Sequence, residues 1–576
     1  MTVGAVVEAL SIGVPLLLGI AVWVPALRRP AVACAGWAAL PGFLLAAGAR
    51  APTDIYMEGV LLGMRLSAAD TVTRTFLAFT SLLWLIAGLF ARTYMAGKPR
   101  PVSFWSFFLL TLTGNLGVVL AADVASFYLF YALMTYAAYG LVAHERTEAS
   151  RHAGRVYLAM SLVGEVLLLT AFLLVVRPEI NVDLHAVPAR VAASPIREAL
   201  VVLFLAGFGI KAGAIFLHVW LPLAHPVAPT PASAVLSGAM IKCGLLGWLR
   251  LLPLGFATMP EAGRACLVCG FAAAFYGVAI GVTQRDPKTI LAYSSVSQMG
   301  LMTAALGVGL ANPGAAGAAV TAILLFATHH ALAKGALFLG TGVASATGSG
   351  RTALLALLWP ALAIAGAPFT SGALAKLSLK ALVAQWPEEV RWLPALLSVG
   401  AVGSTLLMVA FLRRTADHKG ASAAPGPGLL LPWVVLLLVN VGMVAMAPDL
   451  QLLVRPEKVW AAAWPVCVGV AIAVAASRLA RRWAILRREI PPGDVFCLLE
   501  ALSRAVRRGI RSTSGALRRA RLGEACAIRN RIQRLSDSVA RAMRAGEARL
   551  YEFESIGLLF ALLGVALFAA ALSATR

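Results

Sequence analysis

Charge is what this sequence has least of. Asp, Glu, Lys and Arg make up 13% of its 576 residues, and acidic groups are scarcer still, 26 against 49 basic ones. A soluble domain carries about a quarter of its residues as charges, so a chain that is 60% hydrophobic with mean hydropathy +0.83 is not built for water. Cysteine is also scarce, seven in all. Cys266 and Cys269 form a CLVC inside an apolar run with no second pair nearby, which suits an inert buried thiol pair better than a metal or redox site. No set of cysteines fits an iron–sulfur centre, and neither a Gly-rich phosphate loop nor a Ser/His/Asp signature is present. The chain is expected to hold no metal and no cofactor. Nothing basic precedes the first apolar run, so no cleavable signal peptide is expected either.

Hydrocarbon is what the sequence has in abundance. Apolar runs of about 20 residues recur from end to end, each long enough to cross about 30 Å of bilayer, which predicts an all-α polytopic bundle rather than a barrel. The runs lie near 5–27, 31–49, 72–94, 104–121, 124–143, 155–176, 199–221, 231–253, 265–283, 290–310, 316–345, 353–383, 393–413, 429–447, 459–479 and 554–573, about sixteen spans. The runs holding Pro222 and Pro226, or Gly366 and Pro368, are predicted to be broken helices. Loops with Arg28–Arg29, Arg92, Lys98, Arg100, Arg146, Arg151, Arg155, Arg285, Lys288, Arg413, Arg414 and Lys419 fall on one face. From Arg478 to Arg549 there are about eighteen Arg against six acidic residues, roughly half the net charge of +23, on the same face. Basic segments stay inside, so this arm is expected to be cytoplasmic and both termini external.

Against that background, ionisable residues at membrane depth stand out. The stretch KAGAIFLHVWLPLAHP carries Lys211, His218 and His225; Lys242 lies mid-run in SAVLSGAMIKCGLLGWLR; His330 and Lys334 are spaced i, i+4 in ATHHALAKGALFLG; Lys376 and Lys380 repeat that spacing in SGALAKLSLKAL. A Lys at the centre of a span costs about 2.5–3.5 kcal/mol on insertion scales and usually faces the bundle interior or a hydrated path. One such Lys can snorkel to the headgroups from a helix end; four, each inside its own run, fit that account poorly. Buried Lys and His exchange protons near neutral pH, so a string of them with water between can relay protons.

These residues sit in recognisable blocks. KAGAIFLHVWLPLAHPVAPTPASAVLSGAMIKCGLLGWLR, then QRDPKTILAYSSVSQMGL at 284–301 and HALAKGALFLGTG at 330–342, with the looser GAPFTSGALAK at 366–376, resemble the antiporter-like subunits shared by respiratory complex I, Mrp-type cation/proton antiporters and membrane-bound hydrogenases of the formate-hydrogenlyase type. The resemblance covers roughly residues 60 to 415. Its spelling is nearest the hydrogenase-type branch, although APTPASA would also suit an Mrp-type subunit. It implies two inverted five-helix repeats, placed here at 124–253 and 265–383, with broken seventh and twelfth helices and half-channels joined by a polar axis. It implies that Lys211 matches the seventh-span lysine, Lys242 the eighth-span lysine, His330 the central His with Lys334 beside it, Lys376 the last titratable group, and His218 and His225 the two His of the signature.

One departure matters. The family's fifth span reads approximately FxFWELM, its Glu paired with the seventh-span lysine, whereas this sequence reads LFYALM at 129–134 and places Ala132 where that Glu belongs. The usual Glu/Lys switch cannot operate as written. Glu165, mid-membrane one span later, is the candidate substitute; the alternatives are that Glu165 pairs with a structural Arg or Lys, or that the subunit has lost its pump and serves as a scaffold. Asp123 reads as the N-cap of the 124–143 span, and Gln284, Asp286 and Lys288 as capping residues for the next block.

Outside the repeats, residues 1–123 are expected to form N-terminal spans, 384–480 peripheral spans, 490–552 a basic amphipathic lateral arm and 553–576 a C-terminal anchor. The arm repeats Leu498, Leu502, Val506, Cys526, Ile528, Ile532, Leu535, Val539 and Met543 near helical period, with Arg over most of the remainder. It suits either the anionic inner leaflet or a strut along partner subunits, and the family's largest complex I member offers a precedent for the strut. The expectation is a proton-translocating subunit within a larger complex, with other membrane subunits and cytoplasmic energising subunits as partners, anionic lipid at the arm, and no nucleic acid. An Mrp-type Na+ or K+/proton antiporter subunit and a non-pumping scaffold are the alternatives.

Overall fold

Hydropathy and the absence of a competing polar surface leave helices as the only way to satisfy these backbones in lipid. A computed structural model describes residues 3–48, 54–57, 63–179, 181–348, 350–386, 392–417, 426–445, 454–482 and 489–493. In chain order the helices are α1 Val3–Ala21, α2 Arg28–Ala35, α3 Leu40–Ala47, α4 Thr71–Tyr94, α5 Pro101–Leu120, α6 Val124–Val142, α7 Glu148–Val176, α8 Val187–Ala193, α9 Arg197–Ala212, α10 Trp220–Val227, α11 Thr230–Val235, α12 Ile241–Leu251, α13 Pro260–Gly281, α14 Pro287–Ala311, α15 Ala316–Ala346, α16 Arg351–Ala365, α17 Ser371–Val383, α18 Leu393–Asp417, α19 Pro427–Gly442 and α20 Pro456–Arg482. Among the described residues, eleven helices or joined helices are long and apolar enough to cross a membrane. The chain divides into a unit reaching Pro492 and a second unit, Gly493–Leu572, of which only Gly493 is described. The expected span 554–573 and all but the root of the lateral arm lie outside the described residues.

A short antiparallel hairpin, β1 Asp54–Met57 with β2 Met64–Ser67, interrupts the helices between α3 and α4. Nothing in its alternation marks it out from a loop, and its register is held from outside. Asp123 caps α6 by accepting from Ser126 N at 2.8 Å, as expected, and also accepts from Arg65 N at 2.7 Å and Asn181 Nδ2 at 2.8 Å. Arg65 in turn pairs with Asp183 at 2.8 Å. These contacts gather β2, the start of α6 and the 181–184 segment on one face of the bundle, here called the hairpin face.

Helix α14 runs through the buried interior and packs closely against α13, whose other face is exposed. Gly270 and Gly300 face each other so closely that a Cβ on Gly270 would lie 2.5 Å from Gly300 O, and one on Gly300 2.4 Å from Gly270 O. Small residues at a membrane helix contact let backbones approach in this way. Helix α14 is buried over nearly its whole length, and Asp286 caps it through Thr289 N at 2.8 Å.

Two helices are broken, and the breaks share one geometry. At the first, Gly213 (φ +72°) donates to Gly209 O and Ile210 O, Ala214 donates to Gly209 O, and Phe216 is left-handed at φ +66°. At the second, Gly366 (φ +84°) donates to Leu362 O and Ala363 O, Ala367 donates to Leu362 O, and Phe369 is left-handed at φ +61°. The first break begins at Gly213 rather than at the prolines, because Gly supplies the left-handed cap; Pro222 and Pro226 lie within α10. A Gly366→Ala substitution strains the backbone by about 1–2 kcal/mol and drives a methyl to 2.7 Å from Lys376 Cδ. We expect it to lower the melting temperature in detergent, whereas Gly317→Ala, where a Cβ meets nothing within 4 Å, leaves it unchanged or raised.

On the face opposite the hairpin, the loop after α6 holds His144, buried edge-on to Phe104 at 5.6 Å. Burial, reinforced by Arg100, Arg146 and Lys98, pushes its imidazole down to about 4. A depressed His is neutral in the fold and takes a proton more readily when unfolded, so its stabilisation is complete above about pH 6.5 and is lost as pH falls towards 4. Thermal melts across that window should show the decline, and His144→Phe should flatten part of it.

Candidate functional site

The site is a line of buried polar side chains that starts at the first break and ends at the second. Lys211 sits in the last turn of α9 and is 3% exposed. Its Nζ donates to Tyr157 Oη at 3.1 Å, and Tyr157 Oη donates to Thr135 O at 2.8 Å. The Tyr157 ring packs edge-on against Trp220 at 5.2 Å, and Trp220 Nε1 donates to Ile210 O at 2.7 Å, a carbonyl in the last turn of α9 that also accepts from Gly213 N. Glu165 lies two turns beyond Tyr157 on α7, buried, with Lys211 as its electrostatic partner and with Tyr128 and Thr135 of α6 beside it. Tyr128, Ala132 and Thr135 share one face of α6. Glu165 therefore borders the α6 face that carries Ala132.

The centre is a hydrogen-bond circuit left open between His330 and Lys334, which share α15. A π-helical turn, Leu236–Met240, precedes α12 and leaves Ser237 O for Lys242 Nζ, which donates to it at 2.5 Å. Such turns recur at functional sites. Lys242 Nζ also meets His330 Nδ1 of α15 at 2.6 Å. One turn on, Lys334 Nζ donates to Leu291 O of α14 at 2.7 Å, Ser295 Oγ donates to the same carbonyl at 3.1 Å, and Ser295 Oγ meets Ser237 Oγ at 2.8 Å. Lys242, His330 and Lys334 are all fully buried. Among the described residues no carboxylate forms an ion pair with Lys242, Lys334 or Lys376.

At the far end, His329 Nδ1 meets Ser371 Oγ of α17 at 2.8 Å, and Lys376 Nζ donates to Ile364 O at 3.0 Å and Ala365 O at 2.7 Å, the open carbonyls of α16. Both breaks thus place a lysine beside a helix C-terminus, where the dipole favours a cation. A cavity of about 20 Å³, room for one water, lies against Lys376 and Lys380.

Of the expected residues, Lys242, His330 and Lys334 come together in the circuit, Lys211 and Glu165 form one terminus and Lys376 the other. His218 and His225 flank this line. His218 is buried in the segment between α9 and α10, its ring 5.0 Å from Tyr276; His225 stacks on Phe338 at 4.6 Å. Sequence reasoning missed Tyr157, Trp220, Ser237, Ser295, Ser371 and His329. His329 stood next to His330 in the HH pair and was legible; Tyr157 and the serines look like ordinary span residues until the helices pack.

Both breaks and the whole line from Glu165 to Lys376 fall within residues 121–404, which match the transmembrane family described as NADH:quinone oxidoreductase/Mrp antiporter. Over that stretch the chain is similar to antiporter-like membrane subunits of complex I, Mrp antiporters and hydrogenases. Hydrogenase-4 component B of Escherichia coli (strain K12) is 30% identical over 47% of this chain and 42% of its own length. NADH-quinone oxidoreductase subunit N of Desulforudis audaxviator is 29% identical over 62% of this chain and 73% of its own. The Mrp complex from Dietzia sp. DQ12-45-1b holds a chain with the same fold, at TM-score 0.71 and 21% identity, over 94% of this chain and 63% of that one. The chain spans less than half the length of the hydrogenase-4 relative that it matches.

Proposed function

We propose that this subunit moves protons along the Lys211–Lys242–His330–Lys334–Lys376 line, within a multisubunit membrane complex whose energising partners are separate chains. The observation that carries this is the Lys242–His330 bond at 2.6 Å: it joins α12 to α15, so the two halves of the line touch through groups that exchange protons. The 124–253 and 265–383 segments act as inverted repeats, supported by the matching GAIF and GAPF breaks at 213–216 and 366–369. Glu165 takes the part of the absent fifth-span carboxylate, supported by its burial and by Lys211 as its electrostatic partner. His218 and His225 border the path near the first break. The basic-loop face is cytoplasmic, with the 490–552 arm against anionic lipid or a partner subunit and 553–576 as anchor.

An Mrp-type antiporter subunit exchanging Na+ or K+ for protons is the second reading, favoured by APTPASA at 228–234. Gene neighbours separate the two: hydrogenase-like soluble subunits argue for the first, a set of small antiporter subunits for the second. The direct test is to purify the tagged protein from its native host in mild detergent, identify co-purifying chains by mass spectrometry, and follow proton uptake in vesicles. Partners with metal centres and coupled proton uptake support the proposal. Intact assembly with no proton movement under any driving reaction leaves a scaffold.

A further inference from the structure

On the hairpin face a cavity of about 210 Å³, lined by Ser67, Asp70, His185, Pro188, Leu249 and Arg250, reaches down between α4, α5, α8 and α12. That volume holds several waters. Its floor is the Arg250 guanidinium, whose side chain is 10% exposed. Nη1 donates to Val118 O at 3.3 Å and Ala121 O at 3.1 Å; Nη2 donates to Val119 O at 2.9 Å and to Thr73 Oγ1; Asp70 Oδ2 lies 3.8 Å away. Arg250 therefore caps the open carbonyl end of α5, and that alone would be a structural role.

What lies beneath it suggests more. Cys243 is seven residues earlier on α12, on the same face, and about 10 Å deeper at 1.5 Å per residue. Its Sγ accepts from Asn115 Nδ2 of α5 at 2.8 Å, so it sits in the same α5–α12 seam that Arg250 closes. Cys243 adjoins Lys242 in sequence and lies within electrostatic reach of Lys211. On α12 between Cys243 and Arg250 lie the buried Leu246 and Gly247, the latter packed close under the Phe208 ring of α9. A cation that passed the guanidinium would need to cross about two apolar turns to reach the lysine line. A guanidinium does not release its proton at physiological pH, so it cannot relay one, and its fixed charge repels hydronium and metal cations at a constriction.

We propose that Arg250 is an electrostatic plug that keeps hydronium and other cations entering from the hairpin face from reaching Lys211 and Lys242. It rests on the proton-path function proposed above, but its readouts need no pumping. The complex from its native host is placed in vesicles of known orientation. A small, membrane-impermeant methanethiosulfonate with a quaternary ammonium head is applied on the hairpin face, and labelled cysteines are mapped by mass spectrometry. With Arg250 in place, Leu249→Cys should be labelled and Cys243 protected. In Arg250→Gln, Cys243 should be labelled and the passive proton leak of unenergised vesicles should rise roughly tenfold, while Arg250→Lys, which keeps the charge, stays sealed. Labelling of Cys243 in the unchanged protein, an unreactive Leu249→Cys, a leaky Arg250→Lys, or an assembled Arg250→Gln with Cys243 protected and an ordinary leak would each overturn the plug and leave Arg250 a helix cap. If Arg250→Gln does not assemble, the labelling pattern with Arg250 in place decides the matter. A sealed membrane around a complex that fails to pump refutes the function and spares the plug.

Discussion

Glu165→Gln is expected to lower proton uptake by the assembled complex roughly a hundredfold, the scale on which a positioned proton-transfer group contributes, and Lys211→Ala to do the same. Gln keeps the volume of the Glu side chain, so the loss reports charge rather than packing. Lys211 is buried at 3% exposure, Glu165 acts on it electrostatically without touching it, and its direct contacts are neutral: the Tyr157 hydroxyl and the Tyr131 and Tyr157 ring faces at 5.7 and 5.1 Å. With Glu165 neutralised, no anion remains to change the proton affinity of Lys211 as the cycle proceeds. The decisive variant restores the carboxylate at the family's position. Ala132→Glu combined with Glu165→Gln should recover a substantial part of the uptake, since Ala132 shares the α6 face of Tyr128 and Thr135 that borders Glu165. Unchanged uptake in both single variants, with assembly intact, would sink the relay. Loss in Glu165→Gln without recovery in the double variant would confine the carboxylate's function to α7.

Lys242→Met and His330→Gln are expected to stop proton uptake to a similar degree, with an added cost to stability that differs between them. Met removes both the donor and its need for acceptors, leaving Ser237 O and His330 Nδ1 unmatched. Gln at 330 can still accept from Lys242, so the buried ammonium stays satisfied and the fold should hold. An unsatisfied buried polar group costs about 1–3 kcal/mol, so Lys242→Met should melt earlier than His330→Gln although both are inactive. A solvent-exposed lysine would show neither effect. If His330→Gln pumps normally, protons do not cross between α12 and α15 through this bond. Ser295→Ala tests the other arm of the circuit: it should slow uptake by a smaller factor, because the Lys334–Leu291 O bond at 2.7 Å survives it.

Residues 121–404 match the NADH:quinone oxidoreductase/Mrp antiporter family, and this chain carries Ala132 in its LFYALM stretch. The proposed relay gives a reason to keep Glu165 buried within electrostatic reach of Lys211, and to bury three more lysines with only neutral acceptors; a scaffold gives none. Retaining such groups in an apolar bundle is costly, and the cost is the physical argument for use.

Sequence alone determined the solvent, the helical architecture and most of the line. Low charge and repeated runs of about 20 apolar residues leave helices as the only backbone solution in lipid, and a lysine inside such a run is conspicuous because hydrocarbon tolerates so few. Lys211, Lys242, Lys334 and Lys376 were legible for that reason, and Glu165 for the same one. Tertiary structure decided what each of them touches. The first break lies at Gly213 and not at the prolines, because a left-handed cap depends on backbone geometry that no side-chain pattern announces. The hairpin at 54–67 is held by Asp123 and Asp183 from remote parts of the chain. Tyr157, Ser237, Ser295 and His329 became part of the site only when α7, α12, α14 and α15 packed. A hydroxyl in a span can bond its own helix, and only a neighbouring helix at the right distance gives it another use.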